Sequence, residues 1–357
     1  MVKESIMKQL LSVTLLLSVL GSMLVAAGPS RTFGGYMDTE FYGKEGDNSK
    51  FVAHRVVLDF ASQVDERILF NSEIEYEYGG DDGNDGVIKV EKAYVDFKLS
   101  DALVQRSGII VVPFGHVNEY HDSDVRDTTT RPLYAKKIVP TTWSDTAFGV
   151  HGEFDRNDTE FKYEAYLVNG LNDGVTLNNG VRSARPSFKT DNNGDKAFVG
   201  RLSASPKLGT VIGTSYYRGA YDDNGENTLS IFGIDGFYKK GRYEFLAEYA
   251  TVSLEDSGDL PSAMNGGYVE VRSHVLQDFL KRQFSYLDRP VITLVARYGF
   301  VDLDTAASET INRITVGANF RPIESLVYKI EYQQDEYDLS SNNSTDKSVN
   351  MSVALGF

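Results

Sequence analysis

The stretch Gly115–Thr142, GHVNEYHDSDVRDTTTRPLYAKKIVPTT, concentrates residues whose types could do chemistry. It sets Glu119, Asp122, Asp124 and Asp127 against Arg126, Arg131, Lys136 and Lys137. Opposed charge clusters across a narrow wet passage create a transverse field and decide which ions cross. A solvated loop of balanced charge is the plain alternative, and the position and length of the stretch favour a constriction. His116 and His121 beside Asp122 and Asp124 carry donor atoms that suit a metal. A hydrated polar loop accounts for them as well, so no metal and no cofactor is expected. Ser144, Asp145 and His151 would suit a hydrolase. Such a triad must converge in space, and alternation puts Ser144 on the opposite strand face from the other two. The reading is therefore no enzyme and no catalytic residue. Trp143 stands where a strand end would meet a membrane interface.

The elements around these residues follow a period of two. Ile68, Phe70, Ile74, Tyr76 and Tyr78 share one face of a segment whose other face carries Asn71, Glu73, Glu75 and Glu77. Strand side chains alternate between faces, whereas a helix would scatter the glutamates. The same alternation recurs around Phe161–Leu167, Tyr243–Tyr249, Ile314–Phe320, Leu326–Tyr332 and Val349–Phe357. The spacing predicts strands near 32–42, 51–63, 67–78, 87–99, 104–114, 143–154, 160–169, 196–205, 209–220, 228–239, 242–253, 266–276, 290–301, 310–321, 325–335 and 347–357. Sixteen is an even number, as single-chain bacterial barrels require. Tight turns such as Ser100–Leu103 and Lys239–Gly241 alternate with Gly-, Asn- and Asp-rich loops such as GGDDGNDG, LNDGVTLNNGVRSARPSFKTDNNGD, DDNGEN and SSNNSTD. Only Gln277–Arg289 puts a long connection on the short-turn side. The fold class is all-β, a transmembrane antiparallel barrel.

Lys3 and Lys8 precede an uncharged run, Leu10–Ala27, that ends in small residues. This is the pattern of a cleaved signal peptide over residues 1–27, followed by one barrel domain over 28–357. After Ala27 no stretch approaches the apolar length that a membrane helix needs. The chain has no Cys, so disulfides are excluded, and its net charge of −15 argues against nucleic acid as a partner. Tyr 21, Phe 20 and Gly 32 suit a lipid-embedded sheet with interfacial aromatics. Phe357 should close the barrel against strand one, near Thr32–Tyr42, and serve as a signal for the barrel-assembly machinery. Closure removes the unpaired edges that hydrocarbon does not tolerate.

The segments GIIVVPFG (108–115), RPLY (131–134), PTTWSDTAFGVHGEF (140–154), GGYVEV (266–271) and VARYGF (295–300) resemble the phosphate-selective porin O and P family. The resemblance covers most of the chain after residue 27 through short motifs. It implies a trimeric outer-membrane porin of a Gram-negative bacterium that passes small hydrophilic solutes or ions, among them anions such as phosphate. In that family basic side chains along the pore choose the anion; here Arg55, Arg201, Arg297 and Arg313 face inward, beside Glu73, Glu75, Glu77, Glu164 and Glu248. The expected partners are outer-membrane lipids and lipopolysaccharide, the assembly machinery, two further copies of the chain and small solutes. A barrel hydrolase and a non-channel structural or adhesive surface barrel are the alternative functions.

Overall fold

The computed structural model describes residues 30–79 and 86–357. The expected signal peptide and the Asp81–Asp85 part of the GGDDGNDG loop lie outside the described residues. The first eight strands are β1 (Arg31–Lys44), β2 (Lys50–Asp65), β3 (Ile68–Glu77), β4 (Val87–Ser100), β5 (Leu103–Val111), β6 (Ser144–Arg156), β7 (Thr159–Val168) and β8 (Ala197–Lys207). The rest are β9 (Thr210–Ala220), β10 (Thr228–Lys240), β11 (Tyr243–Leu254), β12 (Ala263–Val275), β13 (Val291–Asp302), β14 (Thr310–Ile323), β15 (Leu326–Leu339) and β16 (Asn342–Gly356). Each pairs antiparallel with its sequence neighbours, and β1 with β16, so the sixteen strands form a closed barrel.

Closure follows from the last alternating segment. Met37 faces Leu355 and Phe41 faces Met351 across the seam. Gly35 N–H donates to Phe357 O at 3.1 Å, and Phe357 N–H donates to Gly35 O at 2.9 Å. Met351, Val353 and Leu355 point outward and are exposed, while Asn350 and Ser352 point inward and are buried. The same division holds on β3, where Phe70 and Tyr76 are exposed and Glu73 and Glu75 are buried. Carboxylates inside and a continuous apolar skin outside reverse the pattern of a water-soluble sheet. Hydrocarbon is the solvent that this skin fits.

Two connections differ from the sequence reading. SSNNSTD is largely strand, because β15 and β16 continue to Leu339 and Asn342 and leave a turn at Ser340 and Ser341. Gln277–Arg289 contains a short helix, Gln277–Gln283, which gives that long connection on the short-turn end a regular core.

The largest departure lies inside the barrel. Trp143 is fully buried, not at a lipid interface. It packs between Phe114 and the edge of Tyr217, with ring centroids 6.2 and 5.1 Å away. The β5–β6 connection turns inward and brings an apolar set, including Tyr134, Ile138 and Val139, against inward-facing Leu229, Ile231, Val252, Met264 and Val301. Leu171 and Val181 of the β7–β8 loop join the same cluster. These strands are thus apolar on both faces near their loop ends, and loops fill one side of the mouth. Two wall glycines permit the close approach. A Cβ on Gly233 would sit 2.7 Å from Phe114, and one on Gly266 would sit 2.9 Å from Ile138.

Candidate pore constriction

The β5–β6 loop carries two short helices, α1 (Gly115–Glu119) and α2 (Tyr134–Lys137). Between them the chain crosses the barrel, and wall side chains hold it by its backbone. Glu248 on β11 accepts from the N–H groups of His116 at 3.1 Å and Val117 at 2.8 Å. A quarter of the way round the barrel, Glu331 on β15 accepts from Thr129 and Thr130 N–H, both at 3.0 Å. Asn319 on β14 donates to Asp127 O at 3.0 Å, and Arg321 donates to Asp124 O at 2.8 Å. Lys329 donates to Ser123 O, and Gln333 to Thr130 Oγ1. Buried backbone groups must find partners, and here charged wall residues supply them. A hydrogen bond to a charged group contributes roughly 1.5–3 kcal/mol, so the loop is a fixed diaphragm.

The diaphragm separates two cavities that share Arg126, Thr130 and Arg131. The one toward the short-turn end, about 210 Å³, is lined by His116, Glu244, Glu270 and Arg272 among others. The one toward the loop end, about 240 Å³, is different in charge. Seven basic residues line it against two acidic ones, Glu40 and Glu77, on a chain of net charge −15.

The inward arginines of the wall are largely neutralised. Arg313 makes two bonds of 2.5 Å to Asp335, and Arg201 bonds both carboxylate oxygens of Asp235. Arg55 pairs with Glu75 at 2.5 Å. Arg297 bonds Glu270 and donates to Thr130 O at 3.1 Å, so it also braces the loop. Arg131, Lys136, Arg182 and Arg185 differ: among the described residues none has a carboxylate within 4.0 Å. Arg131 is only 9% exposed and its Nη2 has no hydrogen-bond partner. Burial and the nearby Arg126 charge push its guanidinium down to about 10, so it stays cationic at neutral pH. Burial, then Arg313 and Arg182, push the Lys136 amine down to about 8.

The other loop residues singled out by sequence take separate places. Arg126 lines both cavities, donates to Ser123 Oγ at 3.0 Å and lies 3.6 Å from Glu40. Lys137 turns away from the cavity and donates to Asn178 O in the β7–β8 loop. Asp127 is buried between Arg272 at 3.3 Å and Arg321 at 3.4 Å. Asp122 accepts from Tyr36 OH at 3.0 Å. Asp124 lies near Gly356 at the short-turn rim, and Glu119 is exposed at the end of α1. His116 stacks on Tyr120 at 4.5 Å, and burial pushes its imidazole down to about 4. Ser144, Asp145 and His151 do not share a partner: Asp145 accepts from Gly170 N–H at 2.8 Å, and His151 lies 3.4 Å from Asp96.

Sequence reasoning missed Arg182 and Arg185. They sit on and just after a short 3₁₀ turn, Arg182–Ala184, and reach back to Thr141 O and Thr142 O. The signal was the RSARP segment, two arginines three apart before a proline in a loop otherwise rich in Gly and Asn.

Residues 30–235 match the family described as "Phosphate-selective porin O and P". The chain belongs to that family. The porin is 26% identical over 353 residues to a protein of Aquifex aeolicus (strain VF5) described as an uncharacterized protein, covering 87% of this chain and 77% of that one. Among solved structures it is similar to an anion-selective porin from Comamonas acidovorans, with a TM-score of 0.63 and 12% identity over 92% of this chain and 100% of that chain. OmpT expressed in the outer membrane of Vibrio cholerae gives a TM-score of 0.60 at 13% identity, over 94% of this chain and 99% of that chain. The outer membrane channel DcaP of Acinetobacter baumannii gives 0.58 at 14%, over 93% and 98%. At such identities the structures share the fold, and family membership carries the function. The protein is a porin of a Gram-negative outer membrane, a channel with an inward loop across its lumen.

Proposed function

We propose that this porin conducts small inorganic anions, with phosphate among them. One observation carries the reading: at the diaphragm the cavity holds seven basic residues against two acidic ones. Four of these cations, Arg131, Lys136, Arg182 and Arg185, have no carboxylate partner among the described residues and so keep their charge for a solute. Guanidinium groups match the oxygen geometry of phosphate, and an ammonium adds a compact point charge. Partial desolvation strengthens such contacts, since salt screens them less than on an open surface. The acidic wall residues are mostly engaged with arginine or lysine and offer cations little. A hydrolase reading has no comparable support, since Ser144, Asp145 and His151 take separate partners.

The deciding measurement is single-channel recording in planar bilayers under a potassium chloride gradient. The expected reversal potential has the sign of an anion-selective pore, and added phosphate lowers the chloride current by occupying the cationic cavity. A cation-selective reversal potential would overturn the reading. Trimeric assembly, contact with lipopolysaccharide and insertion by the barrel-assembly machinery belong to the same proposal. Family membership supports the trimer, and chemical cross-linking of detergent-extracted protein tests it.

A further inference from the structure

Behind the diaphragm, where the loop meets β3 and β4, buried groups are left without partners. Glu91 on β4 is 2% exposed and His121 in the loop is 3% exposed. Neither oxygen of Glu91 accepts a hydrogen bond, and His121 Nε2 makes none. Yet Nε2 lies 3.1 Å from Glu91 Oε1 and 3.5 Å from Asp122 Oδ1.

The tautomer explains why this contact needs a third party. His121 Nδ1 lies 2.7 Å from Asn118 O, and a carbonyl only accepts, so Nδ1 carries the proton. The neutral ring then turns the Nε2 lone pair toward two carboxylate oxygens. Lone pairs facing each other across these distances repel. A protonated ring would relieve this only through an aligned hydrogen bond, and the geometry provides none.

Charge balance points the same way. The neighbouring Glu73 is paired with Lys92 at 2.5 Å, and Glu75 with Arg55 at 2.5 Å and Lys89 at 2.6 Å. Within 4.0 Å, Glu91 and Asp122 have no cation among the described residues except, if it were protonated, His121. Two buried or half-buried carboxylates with one imidazole fit a divalent ion, since buried charges are paired or coordinate metals. The spacing also fits. Zinc bonds of ~2.0–2.1 Å in tetrahedral geometry place neighbouring ligand atoms about 3.3–3.4 Å apart, close to the 3.1 and 3.5 Å observed. The Nδ1 bond to Asn118 O is the outer contact that orients a metal-bound histidine.

We propose that Glu91, His121 and Asp122 bind a tetrahedral divalent metal ion, zinc by its donor set, that clasps the inner loop to the β4 wall. Glu73, whose Oε1 has no partner, clusters with Glu91 but is held by Lys92, so a water molecule would complete the shell. The clasp on β4 lies nearly across the lumen from Glu248 on β11, so the loop is held at both walls. His116, which the sequence grouped with His121, takes no part because it stacks on Tyr120 and Phe237.

The test uses the full-length porin extracted from outer membranes, stripped with chelator and titrated with zinc chloride. Calorimetry and elemental analysis should give about one tightly held zinc per chain. Glu91→Gln and His121→Ala should lose it, whereas His116→Ala should keep it, all three checked for heat-modifiable mobility. Cobalt loading of the unaltered protein gives a reading independent of the variants, with the intense absorption of tetrahedral cobalt expected. No tight zinc in the unaltered protein, zinc that survives both Glu91→Gln and His121→Ala, or a purely octahedral cobalt spectrum would each overturn the proposal.

Discussion

Replacing Lys136 with Glu is the sharpest test of the cationic cavity. Lys136 lines the cavity and its side chain makes no hydrogen bond or ion pair among the described residues, so the change alters charge without untying the loop. A cavity of about 240 Å³ has a radius of about 4 Å, so a passing ion comes within roughly 5 Å of the substituted charge. At that distance one unit charge is worth about 0.8 kcal/mol in a water-like dielectric, and about 0.5 kcal/mol after screening at 0.1 M salt. Lys→Glu changes the charge by two units, which makes about 1 kcal/mol for a monovalent ion, and more where protein lowers the dielectric. Anions lose that amount and cations gain it. Since 1.4 kcal/mol is tenfold, the anion-to-cation permeability ratio should fall by at least about tenfold. The reversal potential in a potassium chloride gradient reads this directly. Lys189→Glu with Lys196→Glu is the control, a larger charge change at exposed positions of the β7–β8 loop outside the cavity. An equal or greater shift from the control would mean that surface potential sets selectivity and that the cavity argument is wrong.

Because Lys136 is pushed down to about 8, it carries charge below that pH and loses it above. Anion preference should therefore decline as pH rises from 7 to 9, and Lys136→Arg should flatten the profile; a flat profile in the unaltered protein would refute the assignment. Glu331→Ala leaves the Thr129 and Thr130 N–H groups without their acceptor, so single-channel records should show a larger, noisier conductance. Gly233→Val drives a side chain into Phe114 at a cost of about 1–3 kcal/mol, and should shift conductance or lower the yield of heat-modifiable barrel. Deleting Phe357 removes two bonds with Gly35 and the ring beside Phe33, and should reduce assembled protein in outer membranes; normal amounts would count against the seam as a weak point.

The barrel was legible because its cause is local and periodic. Lipid outside and water inside act on every strand in turn, so a period of two marks both the strand and its faces from Ile68 to Phe357. Strand number and the seam between β1 and β16 follow from that pattern together with the rule that no edge stays open in hydrocarbon. Where both faces are apolar, as at the loop ends of β10 and β11, alternation carries no such message; Trp143 is buried because it ends a connection that folds inward onto Phe114 and Tyr217, which no strand pattern marks. The constriction is legible only in part. Composition marks Gly115–Thr142 as charged, but whether a charge is free depends on partners far away in sequence. Arg313 meets Asp335 within the β14–β15 hairpin, but Thr129 meets Glu331 only once the loop has folded into the closed barrel. Lys137 and Lys136 are neighbours of the same type, yet a helical turn sends one to Asn178 and the other into the cavity. Local periodicity fixes which way a side chain points on a strand. Which charge remains unpaired is decided by contacts between residues up to about two hundred positions apart, and only the tertiary structure brings those together.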